Sequence, residues 1–335
     1  MEAQAAQETG AGRDFLPVPV ANLLSDTIPS FAIYLKQAGY EGRFVLYSHE
    51  NSPLTRDHLN RLHRHGVREV YIRAEDRLKQ QLYMVDTARL LLEDPQRSAR
   101  EKAEAIYEFG KSAVKTALEE PCEDNIKVAK ELAQEHVRYV AGDPQAIPNL
   151  LRIISHDYYT YTHSVNVCSF TVALCRRAGI DDMEKLKIIG IGAMLHDIGK
   201  SRIDRAILSK PGRLNADERQ VINQHPELGL IVLEETSPVP PEAAEIVLSH
   251  HEKCDGSGYP RALRGEELSL PVRACCVADI FDALTTHRSY KSAYGGFRAL
   301  TLMQQDMKAE LDQEILASLI RLVGEASLLR GVRAA

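Results

Sequence analysis

The sequence predicts a small α/β domain followed by an all-α helical bundle, and three patterns lead to that expectation. Short β-rich segments alternate with helical ones between Phe15 and Ala74. Charged and apolar residues mix at helical spacing from about Asp76 to Ala141, and from Pro148 onward apolar residues recur at helical intervals throughout. With 335 residues, 44% of them apolar, the chain has material for one sizeable core and a smaller one.

Residues 1–14, rich in Ala, Gln, Glu and Gly, read as a loose tail. Within the small domain, 15–75, strands are expected over Phe15–Val20, Arg43–Tyr47 and Glu69–Ile72, and helices over Ser30–Ala38 and Thr55–His65. Leu59, Leu62 and Val67 mark the apolar side of the latter. Residues 76–147 read as connecting helices interrupted at Gly110 and at Pro121-Cys122. The bundle, 148–325, is expected to contain helices over Thr162–Arg177, Met183–Leu195, Asn215–His225, Glu227–Glu234, Pro241–His250 and Val272–Thr286. Asn215 stands three residues before Glu218 in a capping-box spacing, and Pro241 suits a first turn. A final helical stretch, Phe297–Val323, breaks near Leu311 and Asp312, and 326–335 read as a tail.

Composition limits the function. A net charge of -6 arises from 47 acidic residues interspersed with 41 basic ones, so no basic tract points to long nucleic acid. No apolar run approaches the roughly 18 to 20 residues that span a bilayer, and Met1 does not open a secretory leader, so a cytoplasmic protein is expected. Cys122, Cys168, Cys175, Cys254, Cys275 and Cys276 form no CxxC pair, which suits reduced thiols acting as packing residues and disfavours a zinc-thiolate site. His49, His58, His63, His65 and His136 lack ligand-like partners and read as surface or half-buried side chains.

The chemistry is concentrated in the bundle. An apolar helix runs straight into His196-Asp197 before Gly199 ends it, and burying imidazole beside carboxylate is costly unless a metal ion compensates. Adjacent helical residues point about 100° apart, so both face one centre only where the helix is ending. His250-His251 repeats the arrangement ahead of a glycine-rich loop, while His163, His225 and Asp279 sit at helix ends or on apolar helices. A lone histidine on such a face is usually a satisfied core residue. Five such elements together supply more ligands than one ion uses, so a dinuclear metallohydrolase is expected, its ions about 3.5 to 4 Å apart and Asp197 bridging them.

HisAspIleGlyLys at 196–200, HisHisGlu at 250–252 and AspGlySerGlyTyrPro at 255–260 together resemble the HD-GYP family, HD-domain phosphohydrolases that hydrolyse cyclic di-GMP. The resemblance covers about residues 150–325. It extends to TyrThrTyrThrHisSer at 159–164, His225-Pro226, AspIlePheAspAlaLeuThr at 279–285 and ArgSerTyrLys at 288–291. It implies an HD-type helical bundle in which His163, His196, Asp197, His225, His250, His251 and Asp279 ligate two divalent ions, with Asp197 and Lys200 in catalysis. Lys200, Tyr259, Asp282, Arg288 and Lys291 are the implied substrate contacts. Nitrogen and oxygen donors without thiolates favour iron or manganese.

Related trinuclear enzymes carry glutamate where this sequence has Tyr159, which implies two ions and a linear product, pGpG, rather than complete conversion to GMP. Cys254 and Ser289 stand where an aromatic residue and proline are common. The implied reaction is attack on phosphorus by a hydroxide bridging the ions, with Lys200 balancing developing charge. Competing readings are another HD-superfamily nucleotide phosphohydrolase and a non-catalytic cyclic di-GMP receptor. The glycine-rich loop disfavours the former and the complete ligand set the latter. The small domain shows neither the clustered acids of a receiver domain nor a phosphate loop. Sensing, homodimerisation and binding of a signalling partner all remain open for it.

Overall fold

A computed structural model describes residues 14–37, 39, 43–153, 160–286 and 294–331. The chain divides into two compact units between Arg97 and Ser98.

The first unit carries a four-stranded antiparallel sheet in the order β1-β4-β2-β3, formed by β1 (Phe15–Pro19), β2 (Ile33–Lys36), β3 (Phe44–Ser48) and β4 (Glu69–Arg73). Phe15, Tyr34 and Phe44 bury their rings together, Phe15 and Phe44 stacked at 4.2 Å. Helix α1 (Arg56–Arg64) starts at Thr55, whose side chain accepts from the His58 amide, and Leu62 is its buried apolar residue. Helix α2 (Arg77–Glu93) belongs to this unit; its Tyr83 hydroxyl accepts from the Leu24 amide and packs edge-on against Phe31. The helix expected over Ser30–Ala38 is instead the strand Ile33–Lys36. Ile33, Tyr34 and Leu35 favour a pleated surface, and pairing with Phe44–Ser48 decides the outcome over a short helical pattern.

The second unit is helical: α3 (Ala99–Glu119), α4 (Glu123–Gly142), α5 (Ala146–Ile153), α6 (Thr160–Arg177), α7 (Met183–Leu195), α8 (Arg205–Leu208), α9 (Ala216–Ile222), α10 (His225–Thr236), α11 (Pro241–Ser249), α12 (Leu270–Thr285), α13 (Gly296–Asp306) and α14 (Gln313–Gly331). The stretch read as a connector is therefore divided, α2 lying in the first unit while α3 and α4 pack with α6 and α7. Gly110 does not interrupt α3. It lies inside that helix, where a Cβ would come within 3.3 Å of Val165 on α6, so it permits close packing.

Helix α6 is buried on every side from Thr162 to Cys175, as suits the central member of a bundle. Burial of side chains such as Phe170, Val172 and Leu174 contributes about 1.5 to 3 kcal/mol each. Helix α7 packs against α4, α6 and α11, and α12 lies along α6. The capping box at Asn215 and the proline first turn of α11 form as expected. His136 departs from expectation: it is fully buried on α4, bonded to Ser169 of α6 at 2.7 Å, and burial lowers its pKa to about 4. No helix among the described residues is long and apolar enough to cross a membrane.

Candidate metal centre

Three histidines occupy helix ends in the same way. His196 follows α7, His225 follows α9 and His250 follows α11, and each Nδ1–H donates to the carbonyl three residues earlier: Ala193, Ile222 and Val247, at 2.8, 2.8 and 2.9 Å. These carbonyls belong to the last turns of their helices, where intrahelical donors run out. The same bond fixes the tautomer, because a neutral imidazole with its proton on Nδ1 presents a bare lone pair at Nε2.

The lone pairs converge. His225 Nε2 and His250 Nε2 face each other at 3.1 Å, an arrangement of two acceptors that a cation relieves. Burial, with neighbouring His251 adding to it, lowers the His250 pKa, and burial takes His225 down to about 3, so both rings are neutral near pH 7. His196 Nε2 and Asp197 Oδ1 are buried without a hydrogen-bond partner. Orphaned polar atoms inside a protein are rare, and here they point to a common centre that a metal ion would satisfy.

Two triads have donor atoms within 4.8 Å of one another: His163, His196 and Asp197, and His225, His250 and His251. Both carboxylates span them. Asp197 Oδ2 lies 3.5 Å from His196 Nε2 and 3.9 Å from His163 Nε2, while Oδ1 lies 3.3 Å from His225 Nε2. Asp279 on α12 places Oδ1 3.0 Å from His163 Nε2 and Oδ2 3.5 Å from His251 Nδ1. Burial would push Asp197 up, but the Lys200 ammonium at 2.6 Å and His196 outweigh it and hold the carboxyl well below its usual range. Asp279 is also lowered: burial opposes this, and the facing His163 and His251 rings prevail.

The structure thus brings together every expected ligand, and Lys200 with them. Tyr259 reaches the site too, stacked on His251 at 4.7 Å, and both line a cleft of about 390 Å³ with Lys200, Ile280 and Met307. Asp282 does not line it. Its carboxylate is buried behind His163, accepting from His163 Nδ1 at 2.7 Å, Asn166 Nδ2 at 2.8 Å and the Thr286 hydroxyl at 3.3 Å. A carboxylate engaged in this way orients a ligand rather than gripping substrate. Arg288, Lys291 and Tyr159 lie outside the described residues.

Two functional side chains escaped sequence reasoning. Glu252, fully buried after the double histidine, accepts from the amides of Arg261 at 2.7 Å and Leu263 at 3.0 Å, tying the ends of the glycine-rich loop together. Lys253 lines the cleft and pairs with Glu310. Gly258 fits against this turn because a Cβ there would lie 2.5 Å from Glu252 Cα, His251 O and Lys253 N.

A helical bundle that gathers histidine and aspartate around one centre has the donor set of a metal site. The chain matches the family model described as HD domain over residues 152–315. It is similar to a cyclic di-GMP phosphodiesterase of Pseudomonas aeruginosa, 34% identical over 58% of this chain and 47% of that protein. It is also similar to 3'3'-cGAMP-specific phosphodiesterase 3 of Vibrio cholerae, 38% identical over 48% of this chain and 35% of that one. The chain spans about half or less of the length of these relatives. Among solved structures, an HDG"Y"P protein from Bdellovibrio bacteriovorus shares the fold with a TM-score of 0.69 at 20% identity, covering 93% of this chain and all of that one.

Proposed function

We propose that this chain is a metal-dependent phosphodiesterase that opens cyclic di-GMP to the linear dinucleotide pGpG. The observation that carries this reading is the pair of triads spanned by Asp197 and Asp279 at the foot of one cleft. His163, His196, Asp197 and Asp279 would hold one ion, and His225, His250, His251 and the second Asp197 oxygen the other, with iron or manganese suiting the donors. Bound there, two such ions lower the pKa of water and neutralise charge on phosphoryl oxygens.

The chain's own residues do the rest. Lys200, poised on Asp197, places a cation beside the centre where negative charge builds during phosphoryl transfer. Lys253 adds a second cation to the cleft, which suits a substrate with two phosphodiester groups. Tyr259 offers a ring for a base to stack on, and Ile222, Ile280 and Met307 present apolar wall. The 3'3'-cGAMP-specific relative favours one second substrate, a cyclic dinucleotide differing in a single base.

The test is purification without oxygen, elemental analysis, and chromatography of cyclic di-GMP and 3'3'-cGAMP reactions, alongside His196→Ala and Asp197→Ala. Two ions per chain, accumulating pGpG and loss of turnover in both variants are expected. Turnover of dNTPs with cyclic dinucleotides untouched, or tight binding without product, would overturn the reading.

A further inference from the structure

We propose that Tyr107, on α3 and outside the segment that matches the HD domain, is a positioning residue that sets His163 through Asn166 and Asp282. This rests on the reading of His163 as a metal ligand.

The connection is a single buried chain of hydrogen bonds. The Tyr107 hydroxyl donates to Asn166 Oδ1 at 2.9 Å, Asn166 Nδ2 donates to Asp282 Oδ1 at 2.8 Å, and His163 Nδ1 donates to Asp282 Oδ2 at 2.7 Å. Tyr107, Asn166, Asp282 and His163 are each at most 2% exposed, so water does not substitute for any link. Each link also fixes the next one's polarity. A phenol donating to Oδ1 turns the Asn166 amide so that its NH2 faces Asp282, and the amide holds the carboxylate in the plane from which the other oxygen reaches His163. With Nδ1 committed to donating, His163 presents Nε2 toward Asp279 and Asp197. Burial pushes the Tyr107 hydroxyl far above its ordinary range, so it remains a donor wherever the protein is folded.

His196, His225 and His250 obtain their tautomer from a carbonyl three residues earlier in the chain. His163 lies near the start of α6 and draws its partner from α12, which is tied back to Asn166 of α6 and through it to α3. Since α3, capped by Ser98, opens the second unit, the hydrogen-bond chain that orients this one ligand starts on that unit's first helix.

The test is calorimetric titration of Mn2+ into metal-free full-length protein, comparing wild type with Tyr107→Phe, Asp282→Asn and, as control, Ser169→Ala. The control removes buried hydrogen bonds from the same helix, those to His136 and to the Val165 carbonyl, without touching the chain to His163. Tyr107→Phe is expected to weaken one of two ions about 10-fold and leave the other unchanged, with Asp282→Asn weakening the same ion by about 10- to 100-fold. Unaltered binding of both ions in Tyr107→Phe, or an equal loss in Ser169→Ala, would overturn the inference while leaving the functional reading intact. A wild-type chain that takes up no ion would overturn both.

Discussion

Glu252→Gln tests how the glycine-rich loop is held. The carboxylate is fully buried and each oxygen accepts one backbone N–H, from Arg261 and Leu263. Glutamine matches the shape but offers one acceptor, so one amide must face an NH2 group and lose its partner. An orphaned buried donor costs about 1 to 3 kcal/mol, and hydrogen bonds to charged groups lie toward the upper end. Taking about 2 kcal/mol, the second unit's unfolding midpoint falls by roughly 4 to 8 °C. The functional consequence is larger than the stability loss. The clamped turn carries Tyr259, whose ring stacks on His251, and Gly258 leaves no slack because it lies against the backbone of residues 251–253. The KM for a cyclic dinucleotide is therefore expected to rise about 10-fold while metal content holds, since His250 keeps its bond to Val247. Differential scanning fluorimetry, elemental analysis and steady-state kinetics read the three quantities. An unchanged KM with a lowered midpoint would show that the clamp stabilises the fold without positioning Tyr259.

Three further outcomes are expected. Chelation lowers the unfolding midpoint by about 5 to 10 °C, restored by Mn2+, because ions present at about 100 times their Kd contribute roughly 2.7 kcal/mol; indifference to chelator in a melting curve refutes this. Gly199→Ala costs about 3 kcal/mol and reduces metal content, since a Cβ would lie 1.9 Å from the His225 carbonyl and 2.4 Å from the Gly229 amide, forcing the His196-Asp197 segment away from α10; a near-native melt and full metal occupancy argue against it. His136 makes the metal-free protein acid-sensitive: with its folded pKa about 4 and its unfolded value about 6.5, the unfolded chain takes up the proton first as pH falls. Stability present above pH 6.5 is lost toward pH 4, about 2 kcal/mol of it by pH 5, and His136→Gln should flatten that part of a denaturation-versus-pH series.

What the sequence made legible follows from how local each cause is. Periodicity and caps delimit α7 to the residue, and Asn215 with Glu218 marks the start of α9, because the interactions lie within one turn. The doublets His196-Asp197 and His250-His251 were readable for the same reason: a helix end lets adjacent side chains face one centre. The strand β2 was not, since its four residues become a strand only by pairing with β3. Nor was the place of α4, where Val137 fills the space left by Gly190 on α7. Asp282, read as a substrate contact, and Glu252 stood within recognised motifs and Lys253 beside one, but their roles depend on partners brought from α6, from the returning loop and from Glu310. Tyr107 carried no local signal for this role, because its hydrogen-bond partner Asn166 lies 59 positions away.

The centre's architecture also explains why its ligands tolerate burial before any ion is present. A helix that ends in the interior leaves carbonyls that must find donors, and an imidazole that must be buried needs one nitrogen satisfied. Placing histidine three residues after a last-turn carbonyl meets both needs at once, at His196, His225 and His250. The negative ends of α7 and α11 then lie beside His196 and His250, a field that favours cations. Substituting Ala for any of these histidines therefore removes a helix-ending hydrogen bond as well as a ligand, whereas Asn at position 197 removes charge and leaves the helix ends intact. Asp197→Asn should accordingly lose metal with its metal-free stability near that of the wild type, while His196→Ala should lose both. Equal metal-free stability of the two variants, measured by urea denaturation, would separate ligand geometry from helix termination and refute this account of why the centre forms where the helices stop.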